Sequence, residues 1–127
     1  MTKLRASDGA PQRTFFAGAG PFGIAFDGSD IWVSNPPGNL VTKLRASDGT
    51  LLGSFPVGVF PRRITFDGAN IWSANETDNT VTKLRASDGE VLGTFDAGLA
   101  PFALASQRDS IWVTNLNSAT VTRLRRQ

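Results

Sequence analysis

Arg62 and Arg63 stand side by side, and two carboxylates follow at Glu76 and Asp78. Adjacent guanidinium groups suit a carboxylate or phosphate, because each presents a rigid fork of N–H donors that matches two oxygens at once. Forty residues earlier the same place holds Phe22-Gly23, and forty residues later it holds Phe102-Ala103. Packing does not need arginine there. Two readings follow: an anion site built from Arg62, Arg63, Glu76 and Asp78, or drift in one unit whose arginines pair with those carboxylates. Catalysis has less to work with. The chain has no His and no Cys, which excludes Ser–His and Cys–His nucleophile pairs as well as disulfides and thiol chemistry. No catalytic residue, metal site or cofactor is assigned.

The elements that must position these groups come from a unit of forty residues. TKLRASDG stands at residues 2–9, 42–49 and 82–89, and a worn copy, TRLRRQ, closes the chain from Thr122. The pairs Ile31-Trp32, Ile71-Trp72 and Ile111-Trp112 keep the same step, as do Asn35, Asn75 and Asn115, and Phe15, Phe55 and Phe95. In the middle unit, residues 62–66, 71–74, 81–85 and 91–95 are short runs with β-branched and aromatic character, each closed by turn residues such as Asp67-Gly68 and Asp88-Gly89. Such side chains fit a pleated surface, and Asp-Gly supplies the positive φ of a tight hairpin. Four strands in forty residues describe an antiparallel meander, and no stretch keeps a helical period. The pattern is that of a β-propeller blade. The competing architecture is a β-solenoid, whose coils usually repeat more briefly and lack paired Asp-Gly hairpins. The chain therefore reads as all-β. Residues 1–21 are a third and fourth strand completing a neighbouring blade, 22–61 the first blade, 62–101 the second, and 102–127 a third blade without its fourth strand.

PFGIAFDGSDIWVSN at residues 21–35, followed by LVTKLRASDG at 40–49, resembles the blade of the NHL, YVTN and virginiamycin-lyase-like propellers. Blades of that group set a PxGIAxD strand before an [IL]W[VF][TS][ND] strand and an NTVxKL strand, and the likeness covers all three units. The resemblance implies a fold and little about role, because one propeller lineage hosts enzymes and binding modules alike. Virginiamycin-lyase-like relatives rely on a His base and a metal held by acidic groups and His, a site that a chain without His does not carry. Gluconolactonase-like propellers hold calcium with Glu, Asn and Asp. Glu76, Asp78 and Asn115 are scattered candidates for that role, with no spacing to recommend them.

Propellers close with about four to eight blades, so three units leave two apolar blade faces bare. Two copies make a six-bladed ring; three copies make nine blades. The expected partner is the chain itself, a homodimer closed by a strand swap. The last blade, running through Phe102, Trp112 and Val121, lacks a fourth strand, and a strand over residues 14–17, centred on Phe15, supplies one from the second copy. Residues 1–7 and 121–127 hold the same place in the repeat, and which of them fills the third-strand slot stays open. Met1 stands where the other units have Val41, Val81 and Val121, which reads as a fragment of a longer array, natural or engineered.

Comparison of the units separates two kinds of connection. The turns DGSD, DGAN and QRDS, and SDG throughout, are nearly fixed, whereas AGAGP, VGVFP and AGLAP and the loops NPPGNL, NETDNT and NLNSAT diverge. Alternating strand direction puts the divergent loops on one face, where a binding site belongs. The Asn35 series reads as turn support rather than a ring of metal ligands, and the three Trp as inter-blade packing rather than a ligand platform. The Lys43/Arg45, Lys83/Arg85 and Arg123/Arg125 pairs read as solvated outer strands beside Asp48 and Asp88. With 13 basic and 11 acidic residues the net charge is +2, too little to argue for nucleic acid. No stretch reads as membrane-spanning and no secretory leader is visible, while the compartment stays open. The favoured function is a non-enzymatic, self-assembling scaffold. The alternatives are a module that binds a small anion or peptide at the channel mouth, and a remnant metal-dependent lyase or hydrolase.

Overall fold

The computed structural model of the chain describes residues 1–126, and among them thirteen strands form four antiparallel sheets. A first hairpin pairs β1 (Thr2–Leu4) with β2 (Pro11–Thr14). Blade 1 consists of β3 (Ile24–Phe26), β4 (Asp30–Asn35), β5 (Leu40–Arg45) and β6 (Leu51–Pro56). Blade 2 consists of β7 (Pro61–Phe66), β8 (Asn70–Asn75), β9 (Thr80–Arg85) and β10 (Val91–Asp96). The last sheet has three strands, β11 (Pro101–Gln107), β12 (Ser110–Asn115) and β13 (Thr120–Arg125). Every sheet is a meander in chain order.

Local chemistry explains the tight turns. Gly28 and Gly68 take φ of 98° and 103°, a region that strains residues carrying a Cβ. The preceding aspartate finishes the turn. One Asp27 oxygen accepts from the N–H groups of Ser29 and Asp30, and the other accepts from Trp32 Nε1 at 2.8 Å. Asp67 repeats this set with Ala69, Asn70 and Trp72. One residue type thus fixes both the hairpin and the indole of the strand that follows.

The middle strands of blades 1 and 2 are buried on both faces, because each blade packs between neighbours. Trp32 and Val41 meet Ile64, Ile71, Leu84 and Ala86 across the first junction. Trp72 and Val81 meet Ile111 and Val113 across the second. Lysine stitches the same junctions. Lys43 sets its ammonium 5.2 Å from the centroid of Trp32 and donates to Ala86 O at 2.9 Å, and Lys83 donates to Arg126 O at 3.2 Å. This corrects the expectation of a solvated basic belt. Lys43 and Lys83 are buried, because each ammonium lies over an indole of its own blade and finds a carbonyl of the next blade. Arg45 and Arg85 do face solvent, paired with Asp48 and Asp88.

A second correction concerns the first hairpin. Its fourth-strand element starts at Pro11 and ends at Thr14, instead of covering residues 14–17. The ladder runs one step further, with Phe15 N donating to Met1 O at 2.7 Å and the Met1 ammonium donating to Phe15 O at 3.1 Å.

Candidate functional site

The two divergent loop sets meet at one end of the blades. Glu76 N donates to Phe60 O at 3.0 Å and Thr77 N to Val59 O at 3.2 Å; Leu116 and Asn117 do the same toward Ala100 and Leu99. Asn39 and Asn79 extend these links from blade to blade by accepting from Phe60 N and Ala100 N, each at 2.9 Å.

Arg62 and Arg63 lie at this end, at the start of β7. Arg62 forms a bidentate pair with Glu76, Nε to Oε2 at 3.0 Å and Nη2 to Oε1 at 3.2 Å. Its guanidinium also stands 4.5 Å from the centroid of Phe60, 5.1 Å from Phe22 and 5.6 Å from Phe102. Arg63 is exposed and lies over the same Phe22 and Phe102 rings at 5.2 and 5.8 Å. Those two rings meet edge to face, 5.7 Å apart, bridging blades 1 and 3 across the inner strand of blade 2. Each arginine therefore gains cation–π attraction from aromatic groups of neighbouring blades. Close approach of the inner strands requires Gly23, since a Cβ there would stand 2.6 Å from Arg62 O. Ser34 completes the contact by donating to that same carbonyl.

Of the four residues read as ligand-binding, the structure joins Arg62 with Glu76 and sets Arg63 beside them. Asp78 is separate, accepting from Val59 N at 2.7 Å within the loop. Asn115 is also engaged elsewhere, with Nδ2 on Thr120 and Thr122 and Oδ1 accepting from Gly98 N. Glu76, Asp78 and Asn115 thus each have different hydrogen-bond partners. Phe22, Phe60 and Phe102 were not read as part of an arginine site. The available signal was that Phe22 and Phe102 share the repeat position of Arg62, which puts all three at one level of the assembly.

The end blades carry a different kind of surface. Trp32 and Trp72 are fully buried, whereas Trp112 is 39% exposed; Val41 and Val81 are fully buried, whereas Val121 is 58% exposed. At the other end, Ile24 is 58% exposed although its counterpart Ile64 is 7% exposed. Phe15 lies against Gly49 on blade 1. Phe102, read with Phe15, Trp112 and Val121 as an assembly residue, packs within this chain among Phe22 and the two arginines.

No protein-family profile matches the chain, and no curated protein does. Solved structures do. A functionally unknown protein from Desulfotomaculum acetoxidans DSM 771 is similar at 19% identity over 98% of this chain and 47% of that one, with a TM-score of 0.79. Hydrazine synthase of Kuenenia stuttgartiensis is similar at 23% identity over 82% of this chain and 35% of that one, with a TM-score of 0.65. A streptogramin B lyase is similar at 20% identity over 83% of this chain and 40% of that one, with a TM-score of 0.59. The chain spans between 35% and 47% of the length of these structures. At such identities the likeness concerns the fold alone. The chain is a propeller-repeat protein in its fold, as these likenesses show.

Proposed function

We propose that the chain is a non-enzymatic scaffold whose three blades close a six-bladed ring with a second copy. One observation carries this reading. The last sheet ends on β13 without a fourth strand, while β2 stands beside blade 1 in the position of a fourth strand from a blade that this chain does not supply. In the ring, β2 of each copy pairs with β13 of the other. β1 and β13 then compete for one place, and β13 holds the stronger claim. It pairs with β12 at six positions, whereas β1 has three exposed residues and an irregular register. Isolated two-stranded hairpins are marginal in water, so β1 gives way. Light scattering at low micromolar concentration tests the ring, with an expected mass of twice the 13.6 kDa chain. A folded single-chain species overturns the reading, and a mass of three chains means nine blades.

A second reading is supported by Arg63. Arg62 is neutralised by Glu76, but Arg63 has no carboxylate within ion-pair distance among the described residues. An exposed guanidinium flanked by two aromatic rings suits a small anion or a peptide carboxylate at the loop-bearing end. Phosphate titration against melting temperature tests it, and the binding reading falls if Arg63→Ala responds as the parent does.

A further inference from the structure

A cavity of about 240 Å³ opens between the first hairpin and blade 1. Its lining is mostly apolar and includes Met1, Phe15, Ile24, Ile31, Leu44 and Ala46. Every one of these residues has a counterpart forty positions later. Val41, Phe55, Ile64, Ile71, Leu84 and Ala86 are the groups that surround Trp32 at the junction of blades 1 and 2. The cavity thus repeats the Trp32 site with the indole left out. The hairpin carries a third and a fourth strand, whereas the indole belongs to a second strand that this sheet lacks.

The missing indole is available on the far side of the molecule. Trp112 is already held as Trp32 is. Its Nε1 donates to Gln107 at 2.9 Å, as Trp32 Nε1 donates to Asp27 at 2.8 Å. Arg123 stands 5.5 Å from its ring, as Lys43 stands 5.2 Å from Trp32. What Trp112 lacks is the phenylalanine that Trp32 has in Phe55 at 5.7 Å and Trp72 has in Phe95 at 5.8 Å. Counting along the repeat, that partner is Phe15 of another copy. The polar stitch follows the same count. Lys43 reaches Ala86 O and Lys83 reaches Arg126 O, each forty-three residues on. The next acceptor in that series is Ala46 O of a second copy, occupied here by Lys3 at 3.5 Å.

We infer that this cavity is the seat of Trp112 from a second copy. The inference rests on the ring proposed above and names the contact that holds it. Trp112 enters with Val121 beside it, Val121 takes the position now filled by Met1, and Arg123 takes the carbonyl now held by Lys3. A buried indole at the centre of an apolar socket is the kind of group on which association energy concentrates.

The test is complementation between two full-length variants. Trp112→Ala removes the indole. Ile24→Glu closes the cavity and should leave the chain folded, since Ile24 is exposed without a partner. Each variant alone should associate on the order of a hundredfold more weakly than the parent. Mixed in equal amounts they should recover a two-chain species, because one of its two junctions keeps both Trp112 and Ile24. General loss of folding cannot produce that recovery. If the parent is a two-chain species and Trp112→Ala associates just as tightly, the cavity is not the seat of Trp112, while the ring itself stands. If both variants are weakened and the mixture does not recover, the assignment is overturned too. A single-chain parent removes the ring and this contact with it.

Discussion

The ring of Phe15 occupies the space where a Cβ on Gly49 would stand, and Phe55 stands in the same relation to Gly89. Both glycines also take a positive φ, 76° and 78°. Gly9 adopts φ 73° in the same SDG turn but has nothing within 4 Å of its would-be Cβ. The three positions separate backbone strain from packing. Gly9→Ala should cost about 1 kcal/mol, the left-handed penalty alone. Gly89→Ala adds displacement of a phenylalanine ring and should cost about 3 kcal/mol in urea unfolding. Equal costs at the two sites would show that the ring yields freely.

Ala119 offers a stabilising change. It adopts φ 53° at the repeat position where Asn39 and Asn79 have φ of 56° and 60°. Asparagine tolerates the left-handed region far better than alanine. Ala119→Asn should therefore raise stability by about 1 kcal/mol, roughly 4 °C in melting temperature for a chain of this size. Ala119→Val should lower it. A neutral outcome for asparagine means that this loop relaxes around the alanine.

The repeat made most of the fold legible. Residues 71–74 and 81–85 were read as strands and the structure extends them by a residue or two, as β8 (Asn70–Asn75) and β9 (Thr80–Arg85). Lys43 shows where such reading stops. A lysine in an alternating strand looks solvated; its own blade supplies the indole of Trp32, but the carbonyl that takes its ammonium comes only from the neighbouring blade. The Arg62–Glu76 pair was one of two open readings, because sequence spacing does not say which loop folds over which strand. The aromatic surround of Arg63 comes from blades on either side, a relation that no local pattern encodes.

Acid should weaken the fold through the turn aspartates. Burial pushes the Asp27 carboxyl up. Hydrogen bonds from Trp32, Asp30 and Ser29, with the charge of Lys43, outweigh that and hold it below its ordinary value. A carboxylate depressed in the folded state adds stability above its unfolded value, near pH 4, and loses it as pH falls through the folded value. Asp48 and Asp88 are depressed in the same direction, chiefly by the turn N–H groups of Thr50 and Glu90. Urea midpoints should fall below about pH 4, and less steeply in Asp27→Asn. Parallel curves for parent and variant would remove Asp27 from the account.

Glu76 sets how much positive charge the loop-bearing end presents. In the parent, its carboxylate occupies the Nε–Nη2 edge of Arg62 and offsets its charge, leaving Arg63 as the exposed guanidinium without a carboxylate partner among the described residues. Glu76→Gln frees the first arginine and should strengthen phosphate binding. At ten times the dissociation constant, phosphate should raise the melting temperature by about 5 °C, in Glu76→Gln at a lower phosphate concentration than in the parent. Arg63→Ala should abolish the shift. An equal shift in all three proteins would mark exclusion of the salt from the surface rather than a site.

Removing β1 should tighten the ring. Residues 2–9 and 122–126 belong to the same part of the repeat, so β1 and the second copy's β13 cannot both lie beside β2. In the free chain, Met1 covers Ala17, Val33 and Leu44, a cover that the second copy replaces with Val121. Deleting residues 2–9 removes the competitor and bares that apolar surface in the single chain, and both effects favour assembly. The dissociation constant should fall by about tenfold or more, corresponding to about 1.4 kcal/mol, as read by dilution in sedimentation equilibrium. Weaker association would reverse the assignment, making β1 the third strand of the closed blade and β13 the one displaced. An unchanged constant would show that the two segments do not share a place.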